Sequence, residues 1–191
     1  MRRSEIALFG NGCFWCTEAI FQKLKGVESV LPGYAGGHMA HPDYKSVCTG
    51  ETGHAEVLQV VFDPDVISYR QLLQIFFLTH DPTQLNRQGN DVGTQYRSVI
   101  FALTPEQRVT AEAALQEAKS PELWGPDVVT EISGPARFWE AEASHHDFFA
   151  RNPSNAYCNA VVAQNCKKRD GNSCLSCVTM FEAASRFNPG Q

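Results

Sequence analysis

A cysteine at the predicted start of a helix is the first residue whose type and position suggest chemistry. The apolar run over residues 6–9 ends in Gly10-Asn11-Gly12, and the pattern beyond this turn predicts a helix over residues 13–25. Unpaired N–H groups at a helix N-terminus lower the pKa of a thiol toward neutrality, which would make Cys13 a thiolate nucleophile. The alternative for Cys13 is an ordinary buried cysteine.

Two aromatic residues and a second cysteine follow Cys13 directly. Phe14 and Trp15 could form an apolar slot for a small hydrophobic group beside the sulfur, or they could both be core residues. Cys13 and Cys16 form a C-x-x-C pair, and residues three apart in a first helical turn lie close enough for a disulfide. A thioredoxin-like exchange motif is therefore an alternative, although its insert is usually small or contains proline.

The number and distribution of cysteines indicate redox chemistry or metal binding. The chain has seven, an odd number that excludes a complete disulfide framework. No export signal precedes them, so we expect a reducing compartment, the cytoplasm. Cys48 is predicted to be a buried, inert thiol. The remaining four could form a structural zinc site, although they include only one C-x-x-C pair: Cys158, Cys166, Cys174 and Cys177.

Composition excludes several classes of protein. The 191 residues are 43% hydrophobic with a net charge of -5, which is typical of a globular domain and leaves no basic surplus for nucleic acid. No apolar run reaches the roughly 18 to 20 residues that a membrane span requires. The six histidines lack a repeated ligand spacing, so we predict no metal site.

The elements that must position these residues alternate irregularly between strands and helices, which favours an α+β fold with a two-layer mixed β-sheet core, packed helices and an extended C-terminal tail. We predict a catalytic domain over residues 1–157 and a Cys-rich tail over residues 158–191, with a short helix at 179–186. Polar, glycine-containing loops are expected around residues 31–56 and 80–94. Strands are predicted at residues 6–9, 27–30, 57–62, 96–103 and 128–132, and helices at 13–25, 68–77, 104–119 and 136–150.

Several motifs in order along the chain are similar to those of peptide methionine sulfoxide reductase A, the family that acts on the S epimer of the sulfoxide. The resemblance departs at Cys16, where the family more often has a small or apolar residue, and at Cys174 and Cys177. The matching motifs are Gly12-Cys-Phe-Trp15, Gly33-Tyr-Ala-Gly-Gly37, Pro42-Asp-Tyr44-Lys-Ser-Val-Cys48, Thr52-Gly-His-Ala-Glu56, Asp81-Pro82, the run from Arg87 through Asp91 and Tyr96 to Ser98, Asn152-Pro153 and Tyr157-Cys158.

The resemblance implies a role for each site residue. Cys13 would be the nucleophile, with Phe14 and Trp15 as the pocket for the S-methyl group. The residues that face the sulfoxide oxygen would be Tyr44, Glu56 and Tyr96, and Asp91 would lie beside them. A sulfoxide oxygen is a poor leaving group until it is protonated, and a carboxyl group shielded by aromatic rings stays protonated near neutral pH. Without the resemblance, Glu56 would be a solvated residue at the start of a strand.

The implied activity is reduction of free and protein-bound methionine-S-sulfoxide to methionine without a bound cofactor. Cys13 would become a sulfenic acid, a second thiol would form an intramolecular disulfide with it, and thioredoxin would restore the enzyme, which we expect to be a monomer. Cys158 followed by Cys166 is the favoured pair of resolving thiols, and the alternatives are Cys16 and, after it, Cys174 or Cys177. The alternative function, from a different class of protein, is a zinc- or disulfide-stabilised binding module, which would hold stoichiometric metal and show no turnover.

Overall fold

The apolar run near the N-terminus forms a central strand of a mixed sheet. The computed structural model describes residues 3–152, whose strands are β1 Glu5–Asn11, β2 Val27–Ala35, β3 Ala55–Phe62, β4 Arg87–Gln88, β5 Asp91–Val92, β6 Ser98–Phe101, β7 Glu131–Ser133 and β8 Trp139–Glu140. Six of them form one sheet in the order β7-β6-β1-β3-β2-β8. β6 and β7 are parallel and the other pairs are antiparallel. A small hairpin pairs β4 with β5.

Helix boundaries follow local capping chemistry. The α-helices are α1 Phe14–Phe21, α2 Tyr44–Val47, α3 Tyr69–Leu78, α4 Pro105–Ala118 and α5 Phe148–Arg151. Ser68 caps α3 with a reciprocal capping box, and Thr104 caps α4 ahead of a proline at the first helical position. Both starts agree with the sequence prediction. Short 3-10 turns span Thr94–Tyr96 and Ala143–His145.

Strand alternation divides the core between the two faces of the sheet. In β1, Ala7 and Phe9 face the cluster that contains the buried side chains of α1 and α3, whereas Leu8 faces a smaller cluster with Val57 and Phe101. Helices therefore cover one face of the sheet. The predicted α+β class with a mixed sheet and packed helices is confirmed.

The predicted helix over residues 136–150 is wrong. Trp139 and Glu140 instead add a strand to the edge of the sheet, where Trp139 pairs with Tyr34. Asp147 then adopts a left-handed backbone conformation with φ 52°, and only Phe148–Arg151 continues as a helix. Pairing with a distant strand overrides the local helical pattern here.

Other boundaries differ by a few residues. The first helix ends at Phe21, four residues before the predicted end. β2 runs to Ala35, so it takes in part of the predicted loop, and β7 begins at Glu131. Tyr96 lies in a 3-10 turn rather than in a strand.

Several predictions lie outside the described residues, namely the tail over residues 158–191, the helix at 179–186, and Cys158, Cys166, Cys174 and Cys177. Within residues 3–152, none of the helices has the length and apolar character that crossing a membrane requires.

Candidate active site

One cavity brings together the seven candidate residues that were predicted in the catalytic domain. It measures about 160 Å³ and is lined by Cys13, Phe14, Trp15, Tyr44, Glu56, Asp91 and Tyr96. These residues come from α1 and its N-cap, α2, β3, β5 and a 3-10 turn. The sheet thus assembles side chains that are up to 83 positions apart in the sequence.

A glycine turn places Cys13 at the start of α1. Gly12 has φ 94°, a conformation that favours glycine, and a Cβ atom there would lie 2.6 Å from the Gln88 side chain. Cys13 itself has an extended backbone and occupies the N-cap position, as predicted. Its side chain is 8% exposed, so the sulfur is nearly buried but still reaches the cavity.

The prediction that the helix start lowers the Cys13 pKa is wrong for this structure. A hydrogen bond with the Cys16 thiol, burial and the nearby Glu56 raise the pKa of Cys13 well above its ordinary value. The Trp15 backbone N–H opposes them but is the smaller effect. Cys13 is therefore a protonated thiol at neutral pH before substrate binds.

Glu56 is a buried carboxyl group in the middle of the site. Its side chain lies on β3 opposite Tyr34 of β2 and is 2% exposed, so the alternative of a solvated glutamate is wrong. Burial, the largest cause, and the negative charge of Asp91 raise its pKa to about 8, although a hydrogen bond from the Phe14 N–H (3.1 Å to Oε2) opposes them. Because Oε2 accepts that bond, Oε1 is able to carry the carboxyl proton. The predicted protonated state near neutral pH agrees with this environment.

Tyr44 and Tyr96 supply hydroxyl groups to the same cavity. Burial is the main cause that raises the pKa of both phenols, so both keep their protons and can donate them in hydrogen bonds. Arg97 fixes the turn that carries Tyr96, because its guanidinium donates to the carbonyls of Thr94 and Gly53, 2.9 and 3.1 Å away. Half-buried Asp91 lines the wall between the hairpin and this turn.

Phe14 and Trp15 form the apolar wall. Phe14 is 1% exposed and belongs to the main core as well as to the cavity, so it is both a core residue and part of the cavity wall. Trp15 is only partly buried and stacks on Phe148, with the ring centroids 3.9 Å apart. The indole therefore offers a fixed apolar surface to the cavity.

Two residues that no sequence motif indicated hold this wall. His145 Nδ1 accepts a hydrogen bond from Trp15 Nε1 (3.0 Å), and burial lowers the His145 pKa, so the ring is neutral. Glu142 accepts from the Tyr44 N–H at 2.8 Å and from the Tyr34 hydroxyl at 3.0 Å. Both residues fall in the wrongly predicted helix. No local pattern could reveal contacts with residues about 100 or more positions away.

The prediction that Cys48 is buried is wrong. It follows α2 as the C-cap residue and is exposed, whereas the preceding Val47 is fully buried. Its thiol interacts with the hydroxyl of Tyr44, which lines the cavity, and helps to raise the pKa of that phenol, so Cys48 lies beside the site. Among the described residues, no three His, Cys, Asp or Glu side chains cluster as metal ligands would.

Comparison with known proteins identifies the family. The model of the family described as "Peptide methionine sulfoxide reductase" matches residues 5–174. This chain belongs to that family. Peptide methionine sulfoxide reductase MsrA of Saccharolobus solfataricus is 54% identical over 164 residues, which cover 86% of this chain and 92% of the relative. The resemblance seen in the sequence is thus confirmed, and the alternative of a binding module is excluded.

Solved structures in the same family share the fold. The reduced form of Mxr1 from Saccharomyces cerevisiae has a TM-score of 0.76 and 36% identity, covering 82% of this chain and 90% of that chain. Mxr1 in complex with Trx2 has a TM-score of 0.55 and 26% identity, covering 76% and 85%.

Proposed function

We propose that this member of the methionine sulfoxide reductase family reduces the S epimer of methionine sulfoxide, free and in proteins, through the sulfur of Cys13. One observation carries the proposal: a single cavity holds a thiol, a protonated carboxyl group, two phenol donors and an apolar wall. A cavity of about 150 Å³ admits a molecule the size of benzene. The methylsulfinyl end of the methionine sulfoxide side chain is smaller than this.

The reaction moves one oxygen atom from substrate sulfur to enzyme sulfur. Cys13 attacks the sulfoxide sulfur, and Glu56 donates its proton to the oxygen and takes up the proton that Cys13 loses. The hydroxyl group then passes from the substrate sulfur to Cys13 as the bond between the two sulfurs breaks, so that methionine leaves and Cys13 is a sulfenic acid. The reactive form of the Cys13–Glu56 pair therefore carries both protons, which agrees with the raised pKa of each group.

The remaining groups select and orient the sulfoxide. Phe14 and Trp15 receive the S-methyl group, while the Tyr44 and Tyr96 hydroxyls donate to the oxygen as charge develops on it. With the methyl group and the oxygen fixed, only one epimer directs its third substituent, the methionine chain, toward the cavity mouth. Asp91 keeps the Glu56 proton in place by its charge.

Thiol exchange returns the enzyme to its reduced state without a bound cofactor. Cys158 and then Cys166 act as resolving thiols that carry the oxidised state away from Cys13, and thioredoxin reduces the resulting disulfide. The solved complex of Mxr1 with Trx2 supports thioredoxin as the reductant. In this proposal residues 1–157 are the catalytic domain and residues 158–191 are the tail that carries the resolving thiols.

The protein acts as a monomer in the cytoplasm, where the reductant is available. Light scattering of the purified protein tests the monomer, and fractionation of the source cells tests the location.

An epimer-resolved assay tests the activity. Purified protein is given a peptide that contains a mixture of the two methionine sulfoxide epimers, with thioredoxin, thioredoxin reductase and NADPH. The proposal predicts that the S epimer is consumed and the R epimer remains, with NADPH oxidised in equal amount. Consumption of the R epimer, or no consumption of either, would contradict it.

A further inference from the structure

We propose that Cys16 is a resolving thiol within the active site itself, which condenses with the sulfenic acid on Cys13 to form a disulfide in the first turn of α1. This inference rests on the proposed function, because that function generates the sulfenic acid. It assigns a catalytic role to a residue at which the chain departs from the usual family pattern.

The backbone at the start of α1 allows this disulfide. Cys13 is the N-cap residue with φ -61° and ψ 117°, an extended conformation, whereas Cys16 lies within the first helical turn. Residues three apart on a helix have Cβ atoms about 5–6 Å apart, and a disulfide needs about 3.5–4.5 Å, so the two Cβ atoms must approach by about 1–2 Å. Because Cys13 lies outside the helical hydrogen-bond pattern, its backbone can rotate to close this gap without breaking the helix.

The two thiols are buried neighbours at the start of α1. Cys13 is the N-cap residue, Cys16 is the third residue of the helix, and both side chains are buried. The Cys16 thiol is also the largest influence on the pKa of Cys13, so the two side chains interact. No movement of another chain segment is required. Cys48, the third cysteine of the described residues, instead follows α2 as its C-cap residue.

The condensation balances without an added reagent. The Cys16 S–H and the Cys13 S–OH give the Cys13–Cys16 disulfide and one molecule of water. Glu56 can donate a proton to the departing hydroxyl and take up the proton of Cys16, since its carboxyl group lies close enough to interact electrostatically with both cysteines. The oxidised state is then held as a disulfide, which protects Cys13 from further oxidation to sulfinic acid.

Burial fixes the direction of the following exchange. Cys16 is 1% exposed and Cys13 is 8% exposed, with Cys13 lining the cavity. An incoming thiolate therefore reaches the Cys13 sulfur, displaces Cys16 as the leaving thiol and forms a mixed disulfide on Cys13. Cys16 thus holds the oxidised state until Cys158 or a dithiol such as thioredoxin removes it.

A full-length variant with Cys158, Cys166, Cys174 and Cys177 changed to Ser tests the proposal, because it retains Cys13, Cys16 and Cys48. The reduced variant receives one equivalent of an S-epimer sulfoxide peptide in the presence of dimedone, which traps sulfenic acids, and is then alkylated and digested with trypsin. We expect about one methionine per chain. The tryptic peptide over residues 4–23 should lose two hydrogens, and less than about a tenth of it should carry dimedone.

The same variant with Cys16→Ser is the matched control. It should also form one methionine per chain, but it should carry dimedone on Cys13 in most molecules. Two outcomes would overturn the role of Cys16 and leave the proposed function intact. In the first, the first variant forms methionine, but Cys13 carries dimedone and Cys16 is alkylated. In the second, it forms methionine and a Cys13–Cys48 disulfide. Failure of the first variant to form methionine would instead overturn the proposed function.

Discussion

Replacing Glu56 by Gln removes the proton that the proposed reaction gives to the sulfoxide oxygen. The change preserves the shape of the side chain, and the amide can still hydrogen-bond, so binding should change little. With its pKa at about 8, Glu56 is protonated in roughly 90% of wild-type molecules at pH 7. Loss of a general acid slows a reaction by about 10²- to 10⁴-fold, equivalent to roughly 3–5 kcal/mol of activation free energy.

The decisive measurement is the single-turnover rate of methionine formation as a function of pH. The wild-type rate should be constant below about pH 7.5 and should fall about tenfold for each pH unit above 8, because the reactive Cys13–Glu56 pair carries both protons. Glu56→Gln should be slow and should lack this inflection. Glu51→Gln is the matched control, since it makes the same change on an exposed side chain and should retain the wild-type rate and profile.

Two results would refute the reasoning about Glu56. One is a wild-type single-turnover rate in a folded Glu56→Gln variant. The other is a wild-type rate that rises to a plateau near pH 8, because such a profile would mean that the reactive form has already lost a proton.

Three further predictions test the site from other directions. Glu56 keeps its proton up to about pH 8 in the folded protein but loses it near pH 4.5 in the unfolded chain, so its contribution to the free energy of unfolding is fully present below about pH 4.5 and falls as the pH rises to 8. In urea unfolding, the stability of Glu56→Gln relative to wild type should therefore increase by up to about 4 kcal/mol between pH 5 and 8. Parallel pH profiles of the two proteins would contradict this. Tyr44→Phe and Tyr96→Phe should each slow the single-turnover step about 10- to 100-fold, and a double variant within twofold of wild type would exclude both as donors. Trp15→Ala should lower kcat/KM about 10- to 200-fold through loss of the methyl-binding wall, and an unchanged value in steady-state kinetics would exclude that role.

Sequence reasoning succeeded where a local signal fixes the structure. Ser68 and Thr104 each provide an N-cap, so the starts of α3 and α4 were predictable. Gly12 marks the turn that presents Cys13, and family motifs named the other cavity residues. The prediction of a buried, protonated Glu56 needed those motifs, because a glutamate at the start of a strand is usually solvated.

Prediction from the sequence failed where contacts between distant residues determine the structure. Residues 136–150 have a helical pattern, yet Trp139 pairs with Tyr34 and His145 bonds to Trp15. The Cys13 pKa was predicted from the helix dipole alone, whereas burial and the neighbouring Cys16 dominate it. Strand pairing and burial arise from packing across the sheet and leave no local pattern, whereas the C-x-x-C spacing does place Cys16 beside Cys13.

The claim that Cys13 performs the reduction is tested most directly by a single turnover of Cys13→Ser. Reduced wild-type protein and the variant, shown by circular dichroism to be folded, are each mixed with one equivalent of the S-epimer peptide without any reductant. The account predicts about one methionine per wild-type chain and none above the buffer rate from the variant, because a hydroxyl is a far weaker nucleophile toward sulfur than a thiol. Stoichiometric methionine from folded Cys13→Ser would contradict it.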